Sequence, residues 1–161
     1  MDTTINAIGS AMLLFGSNPD QRRKLKADPS LVRSAINEVL RCEAPVQSFC
    51  RQATDAQDIG GSEVPAGARV LVMFGSANRD ERKYADPDTF DVTRNPIDHL
   101  SFGFGVHRCA GASLAGLEVE SILGALVRRV ETIEIVGEPV RALNNATRGL
   151  RSLPVAVTAQ D

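Results

Sequence analysis

Hydrophobic positions recur with helical spacing in three stretches, and shorter apolar runs lie between them. From Met1 to Phe15, Ile5, Ile8, Met12, Leu13 and Phe15 stand among small residues, and Gly16-Ser17-Asn18-Pro19 ends the pattern. This predicts the latter half of a buried helix. Pro19 to Lys26 predicts a short polar helix, with Asn18 as its cap and Pro19 at its first position. Asp28-Pro29 repeats that device and opens a longer helix, Ser30 to Cys42. There Leu31, Ala35 and Val39 form one stripe and Val32, Ile36 and Leu40 a second beside it. So wide an apolar face implies a helix deep in the core. The third stretch runs from Leu114 to Val130.

The intervening sequence reads as strands and turns. Ala44-Pro45-Val46 breaks the long helix, and Val46 to Ala53 follows as a strand containing Arg51. Gly60-Gly61 and Pro65-Ala66-Gly67 are turn signals. Arg69 to Met73 predicts a buried strand from its β-branched content. Asn78 to Asn95 is polar and irregular. Glu131 to Val136 and Leu153 to Val157 read as late strands around a turn-rich Leu143-Asn144-Asn145. The fold class is mainly α with small β-sheets (α+β).

Composition narrows the function. The 161 residues suffice for one ordinary domain with a core. A net charge of −2 provides no electrostatic case for nucleic acid or an anionic membrane. Six Phe, one Tyr and no Trp argue against a base-stacking surface. Three cysteines, an odd number, suit a reducing compartment. No apolar run approaches the ~20 residues of a membrane helix, and no basic-plus-apolar leader opens the chain. The expected location is the cytoplasm.

The chemistry concentrates in Phe102-Gly103-Phe104-Gly105-Val106-His107-Arg108-Cys109-Ala110-Gly111. The pattern places Cys109 at the end of a tight loop and just before a helix. Free amide N–H groups and the positive helix end suit an anionic sulfur there, and such a sulfur ligates a soft or borderline metal. Gly105 and Gly111 let the backbone approach something flat, which Phe102 and Phe104 can cover from below. The alternative is a structural cysteine in a glycine-rich turn. Gly103-x-Gly105 is no dinucleotide fingerprint, because Arg108 stands where a third glycine is needed. His99 and His107 form no tetrahedral metal set with Cys42, Cys50 and Cys109, since no C-x-x-C or H-x-x-x-H spacing occurs. Glu38 and Arg41, three apart, share a helix face as a surface pair or as a buried pair with further hydrogen bonds.

The loop resembles the heme-binding loop of the cytochrome P-450 superfamily, the heme-thiolate monooxygenases. Phe102, Gly105, His107, Cys109 and Gly111 match its pattern in register, and Leu114-Ala115 continues it. Glu38-Val39-Leu40-Arg41 matches the family's E-x-x-R motif, and Glu38 precedes Cys109 by 71 positions. Asp2-Thr3-Thr4 is similar to the end of the oxygen-activating motif; the alternative for Asp2 and Thr3 is a helix cap. Thr89 stands where many members carry a meander arginine that joins the E-x-x-R pair, with Arg94 a candidate substitute.

The resemblance implies the C-terminal part of that fold as a single partial domain, residues 1–161. Its parts are the end of a long central helix (2–16), the E-x-x-R helix (30–42), a β region (46–73), a meander (78–98), the cysteine loop (102–111), a helix (112–130) and a terminal hairpin (131–158). It implies heme b, iron protoporphyrin IX, with the Cys109 thiolate as axial ligand. Amides after Cys109 are expected to bond its sulfur. Arg51, His99, Phe102, Gly103, His107, Gly111 and Ala115 would contact the cofactor, Arg51, His107 and His99 through the propionates. Glu38 and Arg41 would lock the loop, and Asp2 and Thr3 would deliver protons. It further implies oxygen insertion into a small organic substrate, with electrons from a ferredoxin or flavoprotein. An inactive remnant, or a heme-binding or interaction module without turnover, is the alternative.

Overall fold

The computed structural model describes residues 2–160. Helix α1 (Asp2–Ser17) packs small residues, Ala7 and Ala11, and one large one, Phe15, into the core. Asn18 ends it: its backbone N–H and side-chain amide both donate to the Leu14 carbonyl, at 2.9 and 2.8 Å. Asn18 makes no side-chain cap on α2 (Pro19–Ala27), contrary to the expectation. Its side chain turns back onto the preceding helix. Asp28 does cap, accepting from the Ser30 N–H at 3.0 Å. It starts a single 3₁₀ turn, Pro29–Leu31, so the long helix α3 (Val32–Cys42) begins two residues later than the sequence suggested.

Strand β1 (Ser48–Gln52) pairs antiparallel with β4 (Arg69–Met73), Cys50 facing Leu71. Between them β2 (Gln57–Ile59) and β3 (Ser62–Val64) form a hairpin turned by Gly60 and Gly61 at φ +62° and +83°. β4 is not buried: Leu71 and Met73 are 54% and 55% exposed. Its β-branched content predicted pairing correctly, but one face of this two-stranded sheet has no covering layer among the described residues.

After a short helix α4 (Phe74–Ala77) the meander runs through turns. It is well packed: Tyr84, Phe90 and Val92 are buried, and Phe90 meets Phe15 edge-on with centroids 5.4 Å apart. Helix α5 (Ala112–Arg129) contributes Val119, Leu123 and Val127 to the same core. The C-terminal segment is two nested ladders instead of one hairpin. β5 (Val130–Ile135) pairs with β8 (Val155–Ala159), and β6 (Val140–Arg141) pairs with β7 (Leu150–Ser152). Among the described residues no helix is long and apolar enough to cross a membrane.

Candidate active site

Helices α1, α3 and α5, the β1 region and the cysteine loop surround one cavity of about 620 Å³, within the range of small-molecule sites. Ile36, Leu40, Phe49, Phe74, Leu114 and Val119 make its walls apolar. Small residues flatten the α5 side. Gly111 stands where an added Cβ would lie 3.9 Å from the Cys109 Sγ, and beyond Gly116 nothing comes within 4 Å. Ala115 lies between them on the lining.

The loop's shape follows from its glycines. Gly103 has φ +69° and ψ −171°, a region essentially reserved for glycine. An added Cβ would sit 3.1 Å from the His107 carbonyl oxygen. This turn lets the Cys109 N–H donate to the Phe102 carbonyl at 2.8 Å, closing the loop. Cys109 is exposed and lines the cavity. No N–H among the described residues donates to its sulfur, contrary to the expectation. Of the amides that follow, that of Ala112 donates to the Cys109 carbonyl and that of Ala115 to the Gly111 carbonyl.

The structure brings Thr3, Arg51, Phe102, Gly103, His107, Cys109, Gly111 and Ala115 to the cavity lining. Arg51 donates to the Cys50 carbonyl at 3.0 Å and lies over the Phe49 ring. Asp2 and His99 are not on the lining. Asp2 is exposed in the first turn of α1. Phe104 does not cover the cavity either; it is 81% exposed. Its backbone is extended and follows directly on the positive-φ turn at Gly103. His99 is buried against Phe102, and its Nδ1 accepts from the Ser101 N–H at 3.2 Å. Burial lowers its pKa to about 4, so the ring is neutral near pH 7 and carries its proton on Nε2.

Glu38 and Arg41 are both fully buried, which decides between the two readings of that pair. Glu38 Oε2 accepts from Arg41 Nε at 2.7 Å, and Oε1 accepts from Arg41 Nη2 at 2.9 Å, the Asp91 N–H at 3.0 Å and Arg94 Nε at 3.1 Å. Arg94 thus fills the third place, and Thr89 supplies its carbonyl to Arg41 at 3.2 Å. Arg41 also donates to the carbonyls of Asn78 and Pro87. The Asn78 side chain continues the chain of bonds. It accepts from the Leu100 N–H at 2.7 Å and donates to Ser101 Oγ at 2.8 Å, at the start of the cysteine loop. Burial pushes the neighbouring Cys42 thiol up to about 12, so that cysteine is inert.

Sequence reasoning missed Asn78 as the link, and missed the Pro45, Val46, Phe49 and Phe74 walls. Asn78-Arg79-Asp80 was readable only as a polar turn, and an apolar wall has no signature apart from core. It also missed Glu43, whose partners Arg141 and Arg148 lie 98 and 105 positions away.

Comparison with known proteins agrees with this geometry. The family model described as "Cytochrome P450" matches residues 1–150. "Cytochrome p450 CYP199A2" of Rhodopseudomonas palustris is 46% identical over 98% of this chain and 38% of its own length. "Beta-dihydromenaquinone-9 omega-hydroxylase" of Mycobacterium tuberculosis is 42% identical over 98% of this chain and 32% of its own. The solved structure of cytochrome P450 CYP109Q5 from Chondromyces apiculatus superposes with a TM-score of 0.91 at 38% identity, covering 99% of this chain and 42% of that one. The chain thus spans about two-fifths or less of these relatives. A loop cysteine facing an apolar cavity, a buried E-x-x-R pair bonded toward that loop, and a fold that superposes throughout have one common source: this chain belongs to the cytochrome P450 family.

Proposed function

We propose that this chain supplies the thiolate side of a heme-thiolate monooxygenase, with Cys109 as the axial ligand of heme b. The observation that carries the reading is the exposed Cys109 on a 620 Å³ apolar cavity with a flat, small-residue wall. The residues present suit a porphyrin: an apolar slot, one soft ligand atom, and cationic or hydrogen-bonding groups around it. Arg51 offers a planar fork for one propionate, and His107 a second donor. His99 contributes a neutral Nε2–H and no positive charge. Phe102 packs against His99 and borders the slot, while Gly103, Gly111 and Ala115 keep backbone and helix close to the ring plane.

When bound, the heme supplies oxygen activation, favoured by electron density pushed from the thiolate. The protein's own residues have other tasks. The Glu38–Arg41–Asn78–Ser101 bonds hold the loop so that Cys109 stays at its position. The apolar walls exclude water and take up a small organic substrate. The Thr3 hydroxyl, on the lining, passes a proton inward, and Asp2, exposed beside it, exchanges protons with solvent. One atom of O₂ enters the substrate and the other leaves as water, using two protons and two electrons from a ferredoxin or flavoprotein. The names of relatives, among them a hydroxylase and a self-sufficient monooxygenase, support this class of reaction. Three unpaired cysteines fit a cytoplasmic setting.

A second reading, heme binding without turnover by these residues alone, is favoured by Ile5, Leu114 and Leu117, 61%, 63% and 59% exposed. Patches of that kind mark a surface covered by another layer. Hemin titration followed by reduction under carbon monoxide tests both. A red-shifted thiolate-type Soret band with substrate oxidation on adding a ferredoxin and its reductase supports the first reading. The band without oxidation supports the second, and no hemin binding contradicts both.

A further inference from the structure

Part of one wall of the cavity has no regular structure of its own. Pro45 and Val46 come from the bend between α3 and β1, and Phe49 stands just beyond them in β1. That bend is held by a segment about a hundred positions later. The Gln47 N–H donates to the Ala146 carbonyl at 3.0 Å and the Arg148 N–H to the Pro45 carbonyl at 2.8 Å. Val46 and Thr147 form an isolated antiparallel bridge. Two positions before Pro45, Glu43 is 5% exposed. Its Oε2 accepts from Arg141 Nη1 at 2.8 Å and Arg148 Nε at 2.7 Å, and its Oε1 accepts from both Nη2 groups at 3.2 Å. Burial works to raise the carboxyl's pKa, and the hydrogen bonds and charges of Arg148 and Arg141 outweigh it, holding the group below the usual carboxylate range.

A buried carboxylate held by two part-exposed arginines is an inefficient way to gain stability, because desolvation of the carboxylate cancels much of the attraction. Its particular strength is direction. Two bidentate forks on one carboxylate fix both angle and distance. Glu43 takes no part in the Glu38 network, and neither arginine lines the cavity.

We propose that Glu43, Arg141 and Arg148 form a positioning clasp that sets where the Pro45–Val46–Phe49 wall stands, and through it which apolar ligand shapes the cavity accepts. The clasp rests on the reading of this cavity as the ligand side of the heme slot. Its residues touch neither substrate nor cofactor; they act through the wall.

The test compares two probes on the hemin-loaded chain by their spectral titrations. Imidazole reports access to the iron alone, and 4-phenylimidazole adds a ring that presses on the surrounding wall. E43Q removes the charge but keeps the shape. R148K keeps the charge but loses the fork, and serves if E43Q does not fold. Each variant is expected to weaken 4-phenylimidazole about tenfold relative to imidazole, the change that 1.4 kcal/mol represents. Equal shifts for both probes, or none, overturn the proposal, because a merely structural clip would not separate them. A hemin-free measurement distinguishes failure of the clasp from failure of the heme reading. Deuterium uptake at the Gln47 and Arg148 amides is expected to accelerate at least about tenfold in R148K. Unchanged uptake overturns the clasp, whether or not the wild-type chain binds hemin.

Discussion

Replacing Glu38 with Ala removes the one carboxylate on which three residues, Arg41, Asp91 and Arg94, converge. Both Glu38 and Arg41 have fully buried side chains, and Arg94 is 18% exposed. The substitution strips Arg41 of two of its bonds, Arg94 of its Nε partner and Asp91 of an acceptor for its backbone N–H. Arg41 keeps the carbonyls of Asn78, Pro87 and Thr89, at 2.9, 2.7 and 3.2 Å. Carbonyl dipoles do not neutralise a buried cation. The cost is therefore on the scale for breaking a buried pair, about 3–5 kcal/mol, against a total stability of roughly 5–15 kcal/mol for a domain. For a chain of this size that lowers Tm by roughly 6–20 °C. Urea unfolding of the hemin-free chain, followed by circular dichroism, gives the loss directly. A double-mutant cycle with R41A is expected to show coupling of about 0.5–3 kcal/mol, because removing both ions leaves only the partly exposed Arg94 without its carboxylate, and no fully buried charge. A loss below about 1 kcal/mol for E38A, the range of surface pairs, or strict additivity in the cycle, would refute the account of this network.

His99 makes stability pH-dependent in the acid direction. Burial lowers its folded pKa from 6.5 to about 4, so the unfolded chain takes up the proton first and stability falls as pH drops from about 6.5 to 4. The full loss is about 3 kcal/mol; a wild-type minus H99Q stability difference that stays constant across this window would contradict the burial of a neutral ring. In the cysteine loop, G103A forces a Cβ into a glycine-only conformation with the His107 carbonyl oxygen at 3.1 Å. It is expected to cost about 1–3 kcal/mol in urea unfolding. G105A, at φ +60° with nothing within 4 Å, should cost only about 1–2 kcal/mol. Equal costs would mean that the carbonyl contact is immaterial.

What could be read in the sequence was whatever is written locally. The register of Phe102, Gly105, His107, Cys109 and Gly111 is a loop geometry in itself, because positive-φ glycines and the following helix leave the chain little choice. The α3 stripes read correctly as a core helix, since eight of its residues are buried. Readings failed where a residue had two possible partners or where a face depended on which layer packs against it. Asn18 could serve either flanking helix and bonds backward. Arg69 to Met73 pairs as a strand, yet pairing says nothing about which layer covers it. Phe104 follows the positive-φ turn at Gly103 and stands out in solvent, 81% exposed. The Glu43 cluster and the Asn78 link are tertiary, joining residues 98, 105, 22 and 23 positions apart. No local pattern encodes such bonds. Arg94 was nameable as a candidate, but only the fold brings its Nε to 3.1 Å from Glu38.

The central claim is a bond between one sulfur and one iron. X-ray absorption at the iron edge of the hemin-loaded chain measures it directly. The account predicts a sulfur scatterer in the first coordination shell of the wild-type chain, replaced by a nitrogen or oxygen scatterer in C109A. Hemin bound without a sulfur neighbour, or a sulfur neighbour that persists in C109A, would contradict it.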